Sequence, residues 1–287
     1  MTTRTLSFAI QMDLIASIDI AGDSTFALGL EVQSRGHYLW YYTPDSLSFN
    51  EGKITARGHP LQLFDDHNSF FKAGNIEART LEDFDVILMR QDPPFDMAYV
   101  TATHILERLP ASTMVVNNPA EVRNAPEKLL VTHYPDLLPA TLISRDSNSI
   151  LAFRAKHKDI VVKPLFGNGG AGVFRIQPND QNLNSLLEMF FGNSREPVMV
   201  QAYIPAIRKG DKRVILVNGE PVGAVNRIPN DGEVRSNFHV GGTAAMTQLT
   251  ARDKHICATI GPELKRRGLL FVGIDIIGNY LTEINVT

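Results

Sequence analysis

The stretch Gly167-Asn168-Gly169-Gly170-Ala171-Gly172 constrains this chain more than any other, because of what flanks it. Letter for letter it spells G-x-G-x-x-G, but a dinucleotide-binding turn of that spelling must open a helix, so that a pyrophosphate lies on the helix N-terminus. Here Val173, Phe174, Arg175 and Ile176 follow, and Ile160 to Pro164 precede. Both runs are rich in β-branched or aromatic residues and read as strands. The loop therefore joins two strands, and its backbone amides can fold over a triphosphate as a flap, with Lys163 at the end of the incoming strand within reach of the phosphates. The P-loop order of glycines, Lys and Ser or Thr is absent, as are the kinase catalytic-loop and D-F-G sequences. A hairpin tip that holds no ligand is the alternative reading of the same residues.

Upstream of the loop, residues 1–120 alternate between β-rich runs and helical patterns, which is how parallel α/β sheets read. Strands are expected over 5–12, 37–43, 85–90 and 113–117, with an irregular hairpin excursion over 53–64. A helix over 25–35 follows the cap Asp23-Ser24 and stops at Gly36. Ala98, Ala102, Ile105, Leu106 and Leu109 mark a second helix. A further helix from Glu121 to near Tyr134 leads into a proline-punctuated linker, 135–139. A smaller unit follows: helix 149–156, strand 160–164, the glycine loop, strand 173–176, a helix and strand 198–204. In that last helix Leu183, Leu186, Leu187, Phe190 and Phe191 form a packing stripe. From Lys212 the chain is strand-rich, with one helix over 253–267 ended by Gly268. The expected division is 1–121, an N-terminal α/β domain; 122–204, a small central lid; and 205–287, a C-terminal strand-rich α+β part.

A formal charge of −3 argues against a nucleic-acid partner, and no apolar run reaches the roughly eighteen residues a membrane span needs. Arg208, Lys209, Lys212 and Arg213 cluster around Asp211, which suits either a small-anion site or a solvated basic turn. The single cysteine, Cys257, cannot form an intramolecular disulfide, and the expected compartment is the cytoplasm.

Near the C-terminus, Asp275 sits inside the apolar run Phe271-Val272-Gly273-Ile274-Asp275-Ile276-Ile277, and Glu283 and Asn285 lie in the next strand. Charges rarely sit among so many apolar neighbours without a partner. Glu283 and Asn285, two residues apart, project to one face. Two carboxylates and an amide suit magnesium, with exposed polar residues of an edge hairpin as the alternative; no histidine pair has zinc-like spacing. A two-residue turn at Gly278-Asn279 would set Asp275 opposite Thr282 and turn Glu283 to the other face. A bulge or a three-residue loop is therefore expected.

Taken in order, Lys128 in Asn124-Ala125-Pro126-Glu127-Lys128, Lys163 in Val161-Val162-Lys163-Pro164, the glycine flap, and Asp275 with Glu283-x-Asn285 resemble the ATP-grasp superfamily. More narrowly, the chain resembles prokaryotic glutathione synthetase along essentially its whole length. The carrying segments are Met12-Asp13 with Asp23-Ser24, Met89-Arg90-Gln91-Asp92-Pro93-Pro94-Phe95-Asp96, Gly210-Asp211-Lys212-Arg213, Arg227-Ile228-Pro229, Arg235-Ser236-Asn237 with Gly241-Gly242, and Asp275-Ile276-Ile277-Gly278 through Thr287. Small departures are Gln91 where the family more usually has Lys, Asn168 where Met is expected and Ser236 where Gly is expected.

The resemblance implies an ATP-grasp fold and the ligation of γ-glutamylcysteine to glycine, with ATP and magnesium, or manganese in its place. For ATP it implies Lys128, Lys163, Gly167, Asn168, Gly169, Gly170, Gly172, Gln201, Tyr203 and Ile204; for the substrate, Asp13, Ser24, Arg90, Asp92 and Asn237. Arg213, Arg227 and Arg235 are the implied grips on reacting charge, and Asp275, Glu283 and Asn285 the metal ligands. The expected partners are small molecules and a second copy of the chain in a homo-oligomer. The family continues beyond Asn285-Val286-Thr287, so an incomplete acceptor side with intact nucleotide contacts is expected for this form. Another ATP-grasp carboxylate-amine ligase and a non-catalytic nucleotide-binding homologue are the rival readings.

Overall fold

The computed structural model describes residues 4–167, 169–230 and 243–286, arranged in two compact units. One unit comprises the chain up to Arg123 together with Arg267–Leu269; the other comprises Asn124–Arg266 and Leu270–Val286.

The first unit is built on a parallel sheet. Tyr38–Tyr42, Ser7–Gln11, Val86–Met89 and Met114–Val116 lie side by side in that order, each pair parallel. Parallel strands need crossovers, and helices Ser24–Ser34 and Met97–Leu106 supply two of them. Each starts where an aspartate can accept from a free backbone amide: Asp23 from Phe26 N at 2.7 Å and Asp96 from Tyr99 N at 2.9 Å. Ile10, Phe26, Leu39, Leu63 and Leu88 form the core between sheet and helix, and Trp40 packs on Tyr42 and Phe84 with ring centroids 5.4 and 5.3 Å apart.

The excursion expected over 53–64 is instead one strand, Lys53–Leu63, antiparallel to Tyr38–Tyr42 and carrying Ser48–Asn50, Phe71–Ala73 and Glu77–Thr80. Its burial alternates with Ile54, Ala56 and Gly58 inward, slips one residue at His59-Pro60, and resumes with Leu61 and Leu63 inward. The slip makes the sequence read as irregular although the backbone stays paired. The helix expected from Glu121 to Tyr134 is also divided, into Pro119–Arg123, Glu127–Leu130 and the 3-10 turn Val131–His133. Pro126 causes the break, because proline disfavours helical backbone in the residue before it.

In the second unit, a four-stranded antiparallel sheet runs Phe174–Ile176, Ile160–Pro164, Val198–Ala202, Thr141–Ser144. Its even-numbered residues, among them Ile160, Val162, Val198 and Val200, pack with Ile150, Leu183, Leu186 and Leu187 from helices Ser147–His157 and Leu183–Asn193. The odd-numbered face, bearing Lys163 and Gln201, is left for other work. A five-stranded antiparallel sheet runs Thr243–Met246, Glu220–Ile228, Asp211–Val217, Phe271–Ile277, Tyr280–Asn285, and helix Ala251–Arg266 belongs to the same unit. Among the described residues no helix is long and apolar enough to cross a membrane.

Gly58 shows how tightly the first unit is packed. A Cβ there would lie 2.2 Å from the Tyr41 carbonyl and 2.7 Å from the Trp40 ring. Gly58→Ala is expected to cost about 1–3 kcal/mol by overpacking; a urea-denaturation midpoint equal to that of the parent chain would exclude this close approach.

Candidate active site

Three separate elements of the second unit bring charge to one place. Lys128 comes from the short helix Glu127–Leu130, Lys163 from the strand Ile160–Pro164 and Glu283 from the strand Tyr280–Asn285. The Glu283 carboxylate lies 3.5 Å from Lys163 Nζ and 3.8 Å from Lys128 Nζ. Both lysines are buried, at 3% and 7% exposure, so their ammonium groups depend on these partners. Lys128 also donates to Glu127 and, at 2.6 Å, to the Gly167 carbonyl at the start of the glycine loop. Burial works against charge on Lys128, but Glu283 and Glu127 outweigh it and hold its pKa above the usual lysine value. Burial, followed by the Glu283 charge, pushes the Glu127 pKa up as well, to about 7.

The second cluster lies along one face of the five-stranded sheet. Asp275 is enclosed by Arg213, which donates through Nε to one oxygen and through a terminal nitrogen at 2.9 Å to the other, and by Arg227 at 2.9 Å. Arg227 also pairs with buried Asp211. Burial alone would raise the Asp275 pKa; the two guanidinium groups instead hold it well below the carboxylate range. Burial, followed by the Asp275 charge, pushes Asp211 up to about 6. Arg227 is enclosed between the two carboxylates, while the Arg213 side chain keeps 27% of its surface exposed.

The expected bulge is present. Ile277 faces Tyr280 and Ile276 faces Leu281, after which the register shifts so that Asp275 faces Glu283 and Gly273 faces Asn285. Thr282 is the extra residue, and its hydroxyl donates to the Asp275 carbonyl at 3.1 Å. Asp275, Glu283 and Asn285 thus share one face, with Asn285 Nδ2 3.5 Å from the Asp275 carboxylate. As a set of oxygen donors on adjacent strands they fit a hard divalent cation. Among the described residues, no group of three histidine, cysteine or acidic side chains is arranged to hold a metal by itself.

Gln201 is buried and donates to Thr141 at 3.0 Å; Tyr203 follows it and carries the Arg175 guanidinium over its ring, and Ile204 caps the 3-10 turn Pro205–Lys209. Of the loop residues, Gly169, Gly170 and Gly172 adopt positive φ, which glycine tolerates and other residues rarely do. Asn168, Arg235 and Asn237 lie outside the described residues. In the first unit, Asp13 accepts from the Asp92 amide at 2.7 Å, and Arg90 donates to Ser24 at 3.0 Å and to Thr25 at 3.1 Å. Asp13 and Asp92, with Gln91, line a cleft of about 470 Å³.

The cluster Arg208, Lys209, Lys212 and Arg213 is not one cationic patch. Strand alternation sends Arg213 to the Asp275 face and Lys212 to a buried pair with Asp253. The same alternation puts Asp211 beside Arg227, a role that its polar neighbours concealed. Glu127 was likewise legible only as the neighbour of Lys128.

Two family descriptions match this chain: "Prokaryotic glutathione synthetase, N-terminal domain" over residues 6–123 and "Prokaryotic glutathione synthetase, ATP-grasp domain" over residues 127–287. The chain belongs to the prokaryotic glutathione synthetase family. Glutathione synthetase of Mesorhizobium japonicum is 56% identical over 98% of this chain and 90% of its own length, and that of Brucella melitensis 54% identical over the same shares. Glutathione synthetase of Vibrio parahaemolyticus is 40% identical over 98% of this chain and 90% of its own length. The ATP-grasp fold extends to distant solved structures. D-cycloserine synthetase DcsG superposes with a TM-score of 0.67 at 14% identity, covering 98% of this chain and 91% of that one. The ATP-grasp ligase PsnB, solved with precursor peptide PsnA2 and AMPPNP, gives 0.62 at 15%, covering 99% and 90%. Members of the prokaryotic glutathione synthetase family are ATP-dependent ligases, and this chain is one of them.

Removing one charge from the enclosed Asp275 cluster tests its energetics. Asp275→Asn is expected to destabilise the protein by about 3–5 kcal/mol at pH 7, since it leaves the buried Arg227 guanidinium and the partly buried Arg213 guanidinium underpaired. A depressed folded-state pKa contributes stability that is present above the unfolded carboxylate value and lost as pH falls through the folded one. The difference between parent and variant should therefore shrink below about pH 4 in urea titrations; a gap that stays constant into the acid range would rule out an ionised, arginine-held Asp275.

Proposed function

We propose that this chain condenses γ-glutamylcysteine with glycine, converting ATP to ADP and phosphate through an acyl phosphate. The observation that supports it most directly is the meeting of Lys128, Lys163 and Glu283 beside the glycine loop, in a chain that is a family member over nearly its full length. A carboxylate resists attack by an amine, so its oxygen first takes the γ-phosphoryl group from ATP. The amine of glycine then attacks the acyl carbon, the C–O bond to phosphate breaks, and the amine proton is lost.

Each residue has a proposed part. Lys128 and Lys163 neutralise phosphate charge, and Gly167, Asn168, Gly169, Gly170 and Gly172 cover the triphosphate as a flap that keeps water from the acyl phosphate. Gln201, Tyr203 and Ile204 receive the base. Arg213 meets charge on the reacting carboxyl with Arg235, and Arg227 holds the Asp275 carboxylate on which Arg213 rests. Asp13, Ser24, Arg90, Asp92 and Asn237 are the substrate side. Asp275, Glu283 and Asn285 would hold magnesium, or manganese in its place, which when bound offsets charge on the nucleotide phosphates. Residues 122–204 act as the lid and residues 205–287 as the part that carries the metal ligands. The proposed compartment is the cytoplasm, with small-molecule substrates, no nucleic-acid or membrane partner, and a homo-oligomeric state.

ADP release should require γ-glutamylcysteine and glycine together. Release that needs a different acceptor would favour another ATP-grasp ligase, and silence with every acceptor would favour a non-catalytic nucleotide binder. Glu283→Gln should lower kcat by at least about a hundredfold, the scale of one lost electrostatic contact at a reacting centre, and raise the magnesium requirement. Full turnover at limiting magnesium would remove Glu283 from the role assigned to it. Lys163→Met should raise KM for ATP far more than KM for γ-glutamylcysteine; equal losses for both would point to misfolding.

A further inference from the structure

The strand Phe174–Ile176 that leaves the glycine loop stands at the edge of its sheet; among the described residues it pairs with Ile160, Val161 and Val162 alone. One side chain on it reaches across two further strands. The guanidinium of Arg175 stacks on Tyr203 with its central carbon 3.7 Å from the ring centroid. It is also gripped by Asp159, Nε donating to one carboxylate oxygen at 3.0 Å and a terminal nitrogen to the other at 2.6 Å. Asp159 closes the arrangement from its backbone, where its carbonyl accepts from Tyr203 N at 2.9 Å. A planar guanidinium held by a two-point fork and laid on a ring has little freedom left, which a lysine could not reproduce. Asp159 holds Arg175 strongly enough to raise its pKa.

Placement gives this clip a function. Val161 faces both Arg175 and Gln201, so Asp159, Arg175, Gln201 and Tyr203 share the face of the sheet that bears Lys163. Asp159 and Lys163 are four residues apart along the same extended backbone, roughly 13 Å. That separation suits a nucleotide lying with its phosphates at Lys163 and its base at Tyr203. We infer that Arg175 is a positioning residue for the nucleotide base: through Tyr203 it fixes the Gln201–Ile204 segment and ties it to the strand that carries the flap. The inference rests on the reading of Gln201, Tyr203 and Ile204 as the base-binding segment. Arg175 touches no reacting atom. It sets where the base sits and couples that seat to the flap.

The test uses the full chain with Arg175→Met and Arg175→Lys. A cation stacked on a ring and pinned by a partly exposed fork should be worth about tenfold in nucleotide affinity. Arg175→Met is expected to raise the Kd for AMPPNP and the KM for ATP about tenfold, with kcat within about twofold, KM for γ-glutamylcysteine unchanged, and the thermal midpoint close to the parent. Arg175→Lys should recover part of the loss, because it keeps a cation over the ring while giving up the fork. If the parent chain binds AMPPNP and Arg175→Met binds it equally well, the positioning role is overturned while the nucleotide reading stands. A parallel loss in midpoint, kcat and both KM values would mark Arg175 as merely structural and overturn it too. Failure of the parent itself to bind AMPPNP would instead remove the base-binding reading on which the inference rests, and the inference with it.

Discussion

A carboxylate at 3% exposure in the middle of an apolar strand cannot stay ionised without partners, and Asp275 obtains them from the neighbouring strand and the one beyond it. The five-stranded sheet takes its register from that need. Arg213 must face Asp275 across one strand pair, and Arg227 must reach it diagonally from the next. Both conditions put the charged residues on one face and leave Val214, Ile274 and Ile284 on the other, where they are buried. The bulge at Thr282 completes the arrangement. Without that extra residue Glu283 would point to the apolar side, away from Lys128 and Lys163.

Lys128 and Lys163 extend the same logic. Each ammonium is removed from water and set near Glu283, so three elements distant in sequence are held by alternating charge as well as by packing. Such a network costs desolvation energy that an apolar cluster of equal volume would not. Its retention makes sense where anionic phosphates are to be received, because the donors are already oriented and need little rearrangement when the ligand arrives. A glycine loop beside these lysines then supplies backbone amides on a segment with positive-φ turns.

The first unit shows a different economy of design. Its parallel strands are covered by capped helices, and its antiparallel side is organised around one long strand whose inward phase slips at His59-Pro60. The missing Cβ at Gly58 leaves room for the Trp40 ring beside that strand. In the second unit, Cys257, the lone cysteine, is buried and its thiol is pushed up to about 11 by that burial, which leaves it a packing residue and not a nucleophile.

Much of this was readable before any coordinates. Strand–helix alternation, the aspartate caps, and the strands Ile160–Pro164 and Phe271–Ile277 follow from local patterns that any window of the chain displays. The demand for an odd register between Asp275 and Glu283, by a bulge or a three-residue loop, also came from sequence, because a period of two with a two-residue turn alone would set the carboxylates on opposite faces; the structure uses the bulge. What local pattern could not carry was pairing between distant residues. That Lys212 turns to Asp253 while Arg213 turns to Asp275, that Asp211 braces Arg227, and that Arg175 lies on Tyr203 depend on which strands become neighbours. The long strand at 53–63 was hidden for the opposite reason: its inward phase changes midway, so no single period describes it. Sequence determined the elements and the kinds of charge available, since these depend on residues close along the chain; only the tertiary structure decided the partners, since a buried charge takes its meaning from whatever is packed against it.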